Sequence, residues 1–285
     1  MNPAAPSAWS SAGEALSRWA ILAVLAVLYL VAIALSDAFL EPVYVGNILR
    51  QAAPVGIAAI GTTLVMILGC IDLSIGAING VLVVFNRSSS FILTLGTALA
   101  IYGLTQIFSG GTARGMVAPD FREFFNQRIG DVLPVLALAL LLLAAAVEAL
   151  LRTTRFGRQI YLIGSNREAA RLSGLPVAGV TFACYVISGL FAAMGGIAVL
   201  ARSGVSSTFT GRGFEFDALA AIVLGGTLFS GGRGTVVGTV AGTLVLFIAF
   251  NLVNILGFNY NLQLVLKGAI IVVASAAYAR LGRDR

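Results

Sequence analysis

The sequence predicts an all-α fold, a polytopic transmembrane helix bundle of about eight spans, and three observations carry that reading. Of the 285 residues 59% are apolar and a further 33 are glycine, far above the apolar share of water-soluble domains. Charged residues make up 11%, less than half of the usual roughly 25%, and they cluster between long uncharged runs. Those runs approach the 20 or so residues that carry a helix across roughly 30 Å of hydrocarbon. Residues 1–285 therefore read as a single transmembrane domain.

Taken in order, the first run is Trp19 to Leu35. No small-residue cleavage site is evident before Asp37, so the run reads as an uncleaved helix. Ala52 to Cys70, Phe91 to Ser109, Val132 to about Leu151, and Leu175 to Ala201 follow, each long enough to span. Ala218 to Gly232 is taken as the sixth. The uncharged stretch from Gly234 to Leu266 is too long for one helix, and Gly257 and four asparagines interrupt it. It divides into helices from about Thr235 to Phe250 and from about Leu262 to Ala279. Leu73 to Phe85, between Asp72 and Arg87, is too short to cross and is not counted. With the N-terminus inside, eleven arginines then fall on the inner side and six outside. That distribution agrees with the positive-inside rule and places both termini in the cytoplasm.

Composition also excludes chemistry. There is no His, hence no imidazole base and no His-ligated metal. No nucleophile stands beside a plausible base and no metal cluster is encoded, so an enzyme is not expected. Cys70 and Cys184 sit inside apolar runs and read as small buried hydrophobes. The net charge of +6 comes from arginines scattered over loops, without the basic, aromatic-interleaved stripe of a nucleic-acid surface. The glycines of Gly225 to Gly234 lack the Lys of a phosphate-binding loop, since Lys267 is the only lysine. Energy for any transport must come from another chain or from an ion gradient. Only Glu148 and Lys267 lie within spans, both near expected helix ends. Gly234, Gly238 and Gly242 place small residues on one helix face for close packing.

The loop from Arg152 to Leu175 is the longest inner polar stretch. Ser165 and Glu168 have the spacing of a capping box, Gly174 suits a left-handed stop, and Pro176 ends the helix. So short a helix is unstable alone in water, so this one is expected to dock on something.

Glu168-Ala169-Ala170 followed by Gly174 resembles the loop by which ATP-binding-cassette import permeases engage their ATPase. Ile71-Asp72-Leu73-Ser74-Ile75-Gly76, Thr94-Leu95-Gly96-Thr97, Thr154-Arg155-Phe156-Gly157-Arg158, Phe214-Glu215-Phe216-Asp217-Ala218 and Ser230-Gly231-Gly232-Arg233-Gly234 resemble, in the same order, the ribose-type sugar permeases of that superfamily. The resemblance implies a permease subunit for a ribose-type monosaccharide or related polyol, in the bacterial inner membrane. It also implies a second permease copy, cytoplasmic ATP-binding subunits that bind the ATP, and a periplasmic or extracellular sugar-binding protein. Arg155, Gly157, Arg158, Ser165, Glu168, Ala169, Ala170 and Gly174 would couple to the ATPase. Asp72, Ser74, Asn79, Asn251 and Asn254 are the candidates for the translocation path, with helix-to-helix bonding the competing role for the last two. A gradient-driven transporter or channel for a small neutral solute remains the alternative. The chain departs from the family pattern at Gly76, which runs almost directly into Asn79-Gly80-Val81-Leu82-Val83. One helical hairpin of the family's roughly ten spans is absent there.

Overall fold

The computed structural model describes residues 8–73, 83, 89–112, 115–206 and 211–283. Among the described residues eleven α-helices run in the order α1 (Ala8–Leu35), α2 (Pro42–Ile67), α3 (Ser90–Ser109), α4 (Pro119–Asn126), α5 (Val135–Thr153), α6 (Arg155–Ser165), α7 (Arg167–Leu172), α8 (Val177–Ser203), α9 (Phe214–Leu224), α10 (Val236–Ile255) and α11 (Tyr260–Arg283). Five of them, α2, α3, α5, α8 and α10, are long and apolar enough to cross a membrane. Shorter apolar stretches lie at Ala20–Leu35 and Tyr260–Val273, within α1 and α11. The chain is thus an all-α, multi-pass membrane protein.

Helix α2 is the central pillar and packs most extensively on α8. It begins at Pro42, ten residues before the uncharged run. Pro at the first helical position has no orphan N–H to satisfy. Arg50 does not end the helix, because its guanidinium donates to Asn126 Oδ1 at 3.0 Å. Close packing is made by small residues: Gly61 lies against Ser188 and Phe191, and Gly195 against the Pro54 carbonyl and Ala58. In a bilayer, where lipid is as apolar as leucine, such close backbone approach supplies much of the helix association.

The helices define two ends. At the lower end lie the α2 terminus, α6, α7 and the turn at 225–234, since Gly232 N–H donates to Ile67 O at 2.7 Å. At the upper end Gly46 of α2 abuts Val132 O, beside a two-stranded antiparallel hairpin of β1 (Arg128–Ile129) and β2 (Leu133–Pro134). Ile21 packs with Ala241 and Val245, and Ala32 with Ile248, so α1 and α10 run parallel from the lower end upward. Helix α11 returns, with Gln263 Nε2 donating to Asn254 Oδ1 at 2.7 Å at the top. The start of α1 and the end of α11 therefore belong to the end that carries α6 and α7.

Two expectations need correction. The sixth run is not a full-length helix. Helix α9 spans Phe214–Leu224, 11 residues, about 16 Å. Gly226, Gly231 and Gly232 then take positive φ, so the remaining apolar letters form a turn. The crossing from the top of α8 to that turn is thus only part helical. Gly238 and Gly242 do provide the close approach, meeting the Gly225 and Ala221 carbonyls, but Gly234 precedes α10, which is capped by Thr235 accepting from Gly238 N–H at 3.0 Å.

Helix α3 stands apart. Thr94 is its one buried residue among those described, so nearly its whole apolar surface is open.

Candidate functional site

The lower end is built from the Arg152–Leu175 stretch. Thr154 caps α6, its hydroxyl accepting from Gly157 N–H at 3.1 Å. Gly157 is buried against the Leu151 carbonyl, while Arg155 and Arg158 remain at the surface. Ile160 and Ile163 are buried in the main core, and Tyr161 Oη donates to Gly234 O at 2.7 Å. Gly164 lies against Ile67 O and Gly232 N. Helix α6 is thereby pinned to the end of α2 and to the 225–234 turn.

Helix α7 follows at once, and here the capping-box expectation fails. Ser165 is the last residue of α6, and its hydroxyl donates to Tyr161 O at 2.8 Å. The cap is Asn166, whose Oδ1 accepts from Ala169 N–H at 2.9 Å. Asn is as good a cap as Ser, and its place one residue later shifts the helix start. Replacing Asn166 by Ala should cost about 1 kcal/mol of local stability, whereas Ser165→Ala should be near neutral. Hydrogen exchange across 167–172 checks this, and the reverse order would restore Ser165 as the cap.

The stop is as expected. Gly174 has φ +77°, with Gly174 N–H donating to Arg171 O at 3.0 Å and Leu175 N–H to Ala170 O at 3.1 Å. That pair of bonds is the Schellman motif. Ala170 is buried, and Glu168, Ala169, Arg171 and Leu172 are exposed, Leu172 at 81%. Leu172 is thus an open leucine rimmed by charges at the end of the bundle.

A second layer lies above. Arg167 Nη1 approaches Cys70 Sγ at 3.9 Å, which ties α7 to the segment after α2. Ile71 N–H donates to Ser90 Oγ at 3.2 Å. Tyr185 Oη reaches Ile71 O at 3.5 Å, and Ser188 Oγ donates to Asp72 Oδ2 at 2.9 Å. Asp72 is therefore buried on the α8 side and hydrogen-bonded there.

The structure does not gather the translocation-path candidates. Asn251 donates to Phe247 O at 2.8 Å and accepts from Tyr44 Oη at 3.4 Å. Asn254 accepts from Gln263. Both make helix-to-helix ties far from Asp72, and Ser74 and Asn79 lie outside the described residues. Glu148 does not reach for water: its Oε2 accepts from Val236 N–H at 2.8 Å, at the positive end of α10, and its Oε1 meets Arg152. Nor does Lys267. It is 8% exposed and pairs with Asp217, because α11 starts at Tyr260 and leaves the ammonium about 10 Å below the helix end. Sequence reasoning missed Asn166, Gly164 and the Asp217–Lys267 pair. Only the first had a local signal.

At the upper end Asn126 links Arg50 to the Ala201 carbonyl, Arg128 donates to Asn47 Oδ1 at 2.8 Å, and the Arg122 guanidinium lies beside Gly204. Among the described residues none of these arginines forms an ion pair.

Membrane-length helices around α2, with a polar helix pair presented at one end, define a multi-pass membrane protein. Residues 74–275 match the family described as branched-chain amino acid transport system / permease component. The chain belongs to that family. It is 34% identical over 284 aligned positions to the ribose import permease protein RbsC of Bacillus subtilis, with 87% of this chain and 88% of the relative covered. It is 33% identical to RbsC of Escherichia coli K12, at 88% and 91% coverage, and 35% identical to the galactose/methyl galactoside import permease protein MglC of that strain, at 78% and 70%. No solved structure matches the chain. In the first alignment 87% of 285 residues, about 248, face 284 positions, so roughly 36 positions of the relative have no counterpart here. That is the length of two membrane helices.

Proposed function

We propose that this chain is the permease subunit of an ATP-binding-cassette importer for a monosaccharide, a ribose-type sugar or related polyol. The observation that carries the reading is the α6–α7 pair: rigidly pinned beneath, capped at both ends, and exposing Glu168, Arg171 and Leu172 to a partner. A cytoplasmic ATP-binding subunit fits that surface and would supply the energy, since no nucleotide site is encoded in the sequence. The sugar class rests on the relatives, ribose and galactose import permeases, which cover most of the chain. The lower end is then cytoplasmic, the membrane is the bacterial inner membrane, and a second permease copy completes the pathway. The unpaired arginines of the upper end would receive the acidic surface of an external sugar-binding protein.

ATP-driven closure of the ATPase would push α7. The movement would pass through Arg167 to the Cys70–Asp72 segment and through Gly164 to the foot of α2. One observation favours the rival, gradient-driven reading: Asp72, Asp217 and Lys267 are ionisable groups buried in the bundle. Co-expression with the ATPase of the same transport system separates the two. Co-purification of that ATPase, with ATP-dependent uptake of labelled D-ribose or D-galactose, is expected. Uptake that ignores the ATPase and follows an ion gradient would replace this reading with the rival.

Sidedness is tested separately. In a chain lacking Cys70 and Cys184, a single cysteine at Ser165 should be labelled only from the cytoplasm, and one at Thr112 or Ser206 only from outside. Labelling of Ser165→Cys from outside would invert the topology.

A further inference from the structure

The half-length helix α9 begins inside the upper half of the bundle and runs down to the turn at 225–234. Its first turn carries Glu215 and Asp217, carboxylates at the positive end of the helix dipole. Asp217 is neutralised across the interface by Lys267 of α11, Nζ to Oδ1 2.5 Å, both residues being more than nine-tenths buried. Beside this pair opens a groove of about 470 Å³ lined by Arg212, Glu215, Phe216, Tyr260, Leu264 and Lys267. It lies on the flank of the chain, at a depth set by Lys267, about 10 Å below the top of α11.

A flank facing lipid cannot carry such residues. Charged side chains at membrane depth face the bundle interior or a water-filled cavity, and they mark solute pathways. The exposed side of α3 is the contrast: Leu99 and Leu104 are open on a charge-free helix that meets the groove only where Tyr102 lies under Arg212.

We infer that the α9–α11 groove is a water-filled wall of the pathway and a binding site for a neutral, hydroxyl-rich ring. The inference rests on the reading of this chain as one half of a sugar permease, whose second copy would wall the open side. The chemistry selects the ligand class. Four charges line the groove or its floor, two of each sign, so it neither attracts nor repels an ion strongly. Asp217 and Lys267 pair with each other, and Arg212 is held over the Tyr102 ring at 5.4 Å. Glu215 is the one carboxylate among the described residues that line the groove, half-buried and with no side-chain hydrogen bond or ion pair among them. A zwitterionic amino acid needs a free cation and a free anion together. A polyol needs a strong acceptor for its hydroxyls and flat apolar surfaces for its C–H faces, which Glu215, Phe216 and Tyr260 supply.

The test uses the full chain with its partner subunits in membrane vesicles, with Cys70 and Cys184 replaced by Ser. Single cysteines at Leu264 and Gly268 should react with a sulfonated, membrane-impermeant methanethiosulfonate at least tenfold faster than one at Leu99. Saturating D-ribose or D-galactose should slow that reaction at least fivefold, and L-leucine should not. Glu215→Gln should raise the KM for sugar uptake at least tenfold while leaving ATPase co-purification unchanged. Groove cysteines as slow as Leu99→Cys would overturn the water-filled path. Fast labelling without sugar protection, protection by L-leucine, or an unaltered KM in Glu215→Gln would overturn the polyol site. Absence of sugar uptake by the unmodified system would refute the sugar reading itself, which the labelling contrast does not depend on.

Discussion

Glu168→Arg is expected to leave the permease folded and inserted while lowering ATP-dependent uptake at least a hundredfold. Glu168 is exposed in the first turn of α7, so the substitution disturbs no core contact. It exchanges a charge that favours the helix N-terminus for one that opposes it. More importantly, it reverses the charge presented to the partner, and like charges brought together across an interface cost several kcal/mol. Gly174→Val should act on the same surface by another route. A β-branched residue at φ +77° is strained, so the Schellman stop opens and α7 loses its angle. The measurement is uptake together with ATPase co-purification. Wild-type values for both variants would remove α7 from the coupling surface.

Gly164→Val is expected to prevent accumulation of the folded permease, cutting the monodisperse fraction in detergent at least tenfold. A Cβ at Gly164 would overlap Ile67 O and sit 2.6 Å from Gly232 N. Both neighbours are backbone, and they are bonded to each other at 2.7 Å, so neither can move alone. Relief requires α6 to lift from the foot of α2 and Tyr161 to release Gly234. Overpacking of this kind costs roughly 1–3 kcal/mol where side chains can yield, and more where only backbone is available. A variant that purifies and melts like the parent would show that α6 is not pinned.

The two variants separate the roles of one loop. Glu168 belongs to the exposed face proposed for a partner, and Gly164 to the face that holds the loop on the bundle. Only the first role was legible beforehand. Glu168-Ala169-Ala170 with Gly174 is a local pattern, whereas Gly164 looks like any glycine in a polar helix. Its significance depends on Ile67 and Gly232, which are distant in the chain. The cap shows how small the margin is even for local signals. Ser165 and Asn166 are adjacent and equally able to cap, and the choice fell to Asn166 because Ser165 continues α6 and bonds Tyr161.

Composition and local pattern were enough for the membrane class, most of the long apolar helices, the polar loop from Arg152 to Leu175 and its Gly174 stop. Each depends on residues within a turn or within one hydrophobic run, where the free energy of removing peptide groups from water leaves the helix as the only solution. The tertiary structure alone decided which polar residues are partners. Charge counting left Lys267 near a helix end with nothing assigned to it, and Asp217 stood only as a letter of the Phe214–Ala218 motif. Packing α9 on α10 and α11 brought the two together. Likewise Asn251 and Asn254, candidates for a path, are ties between helices, and Glu148 anchors α10. A buried polar group must find a partner, and which partner is within reach depends on how helices distant in sequence cross.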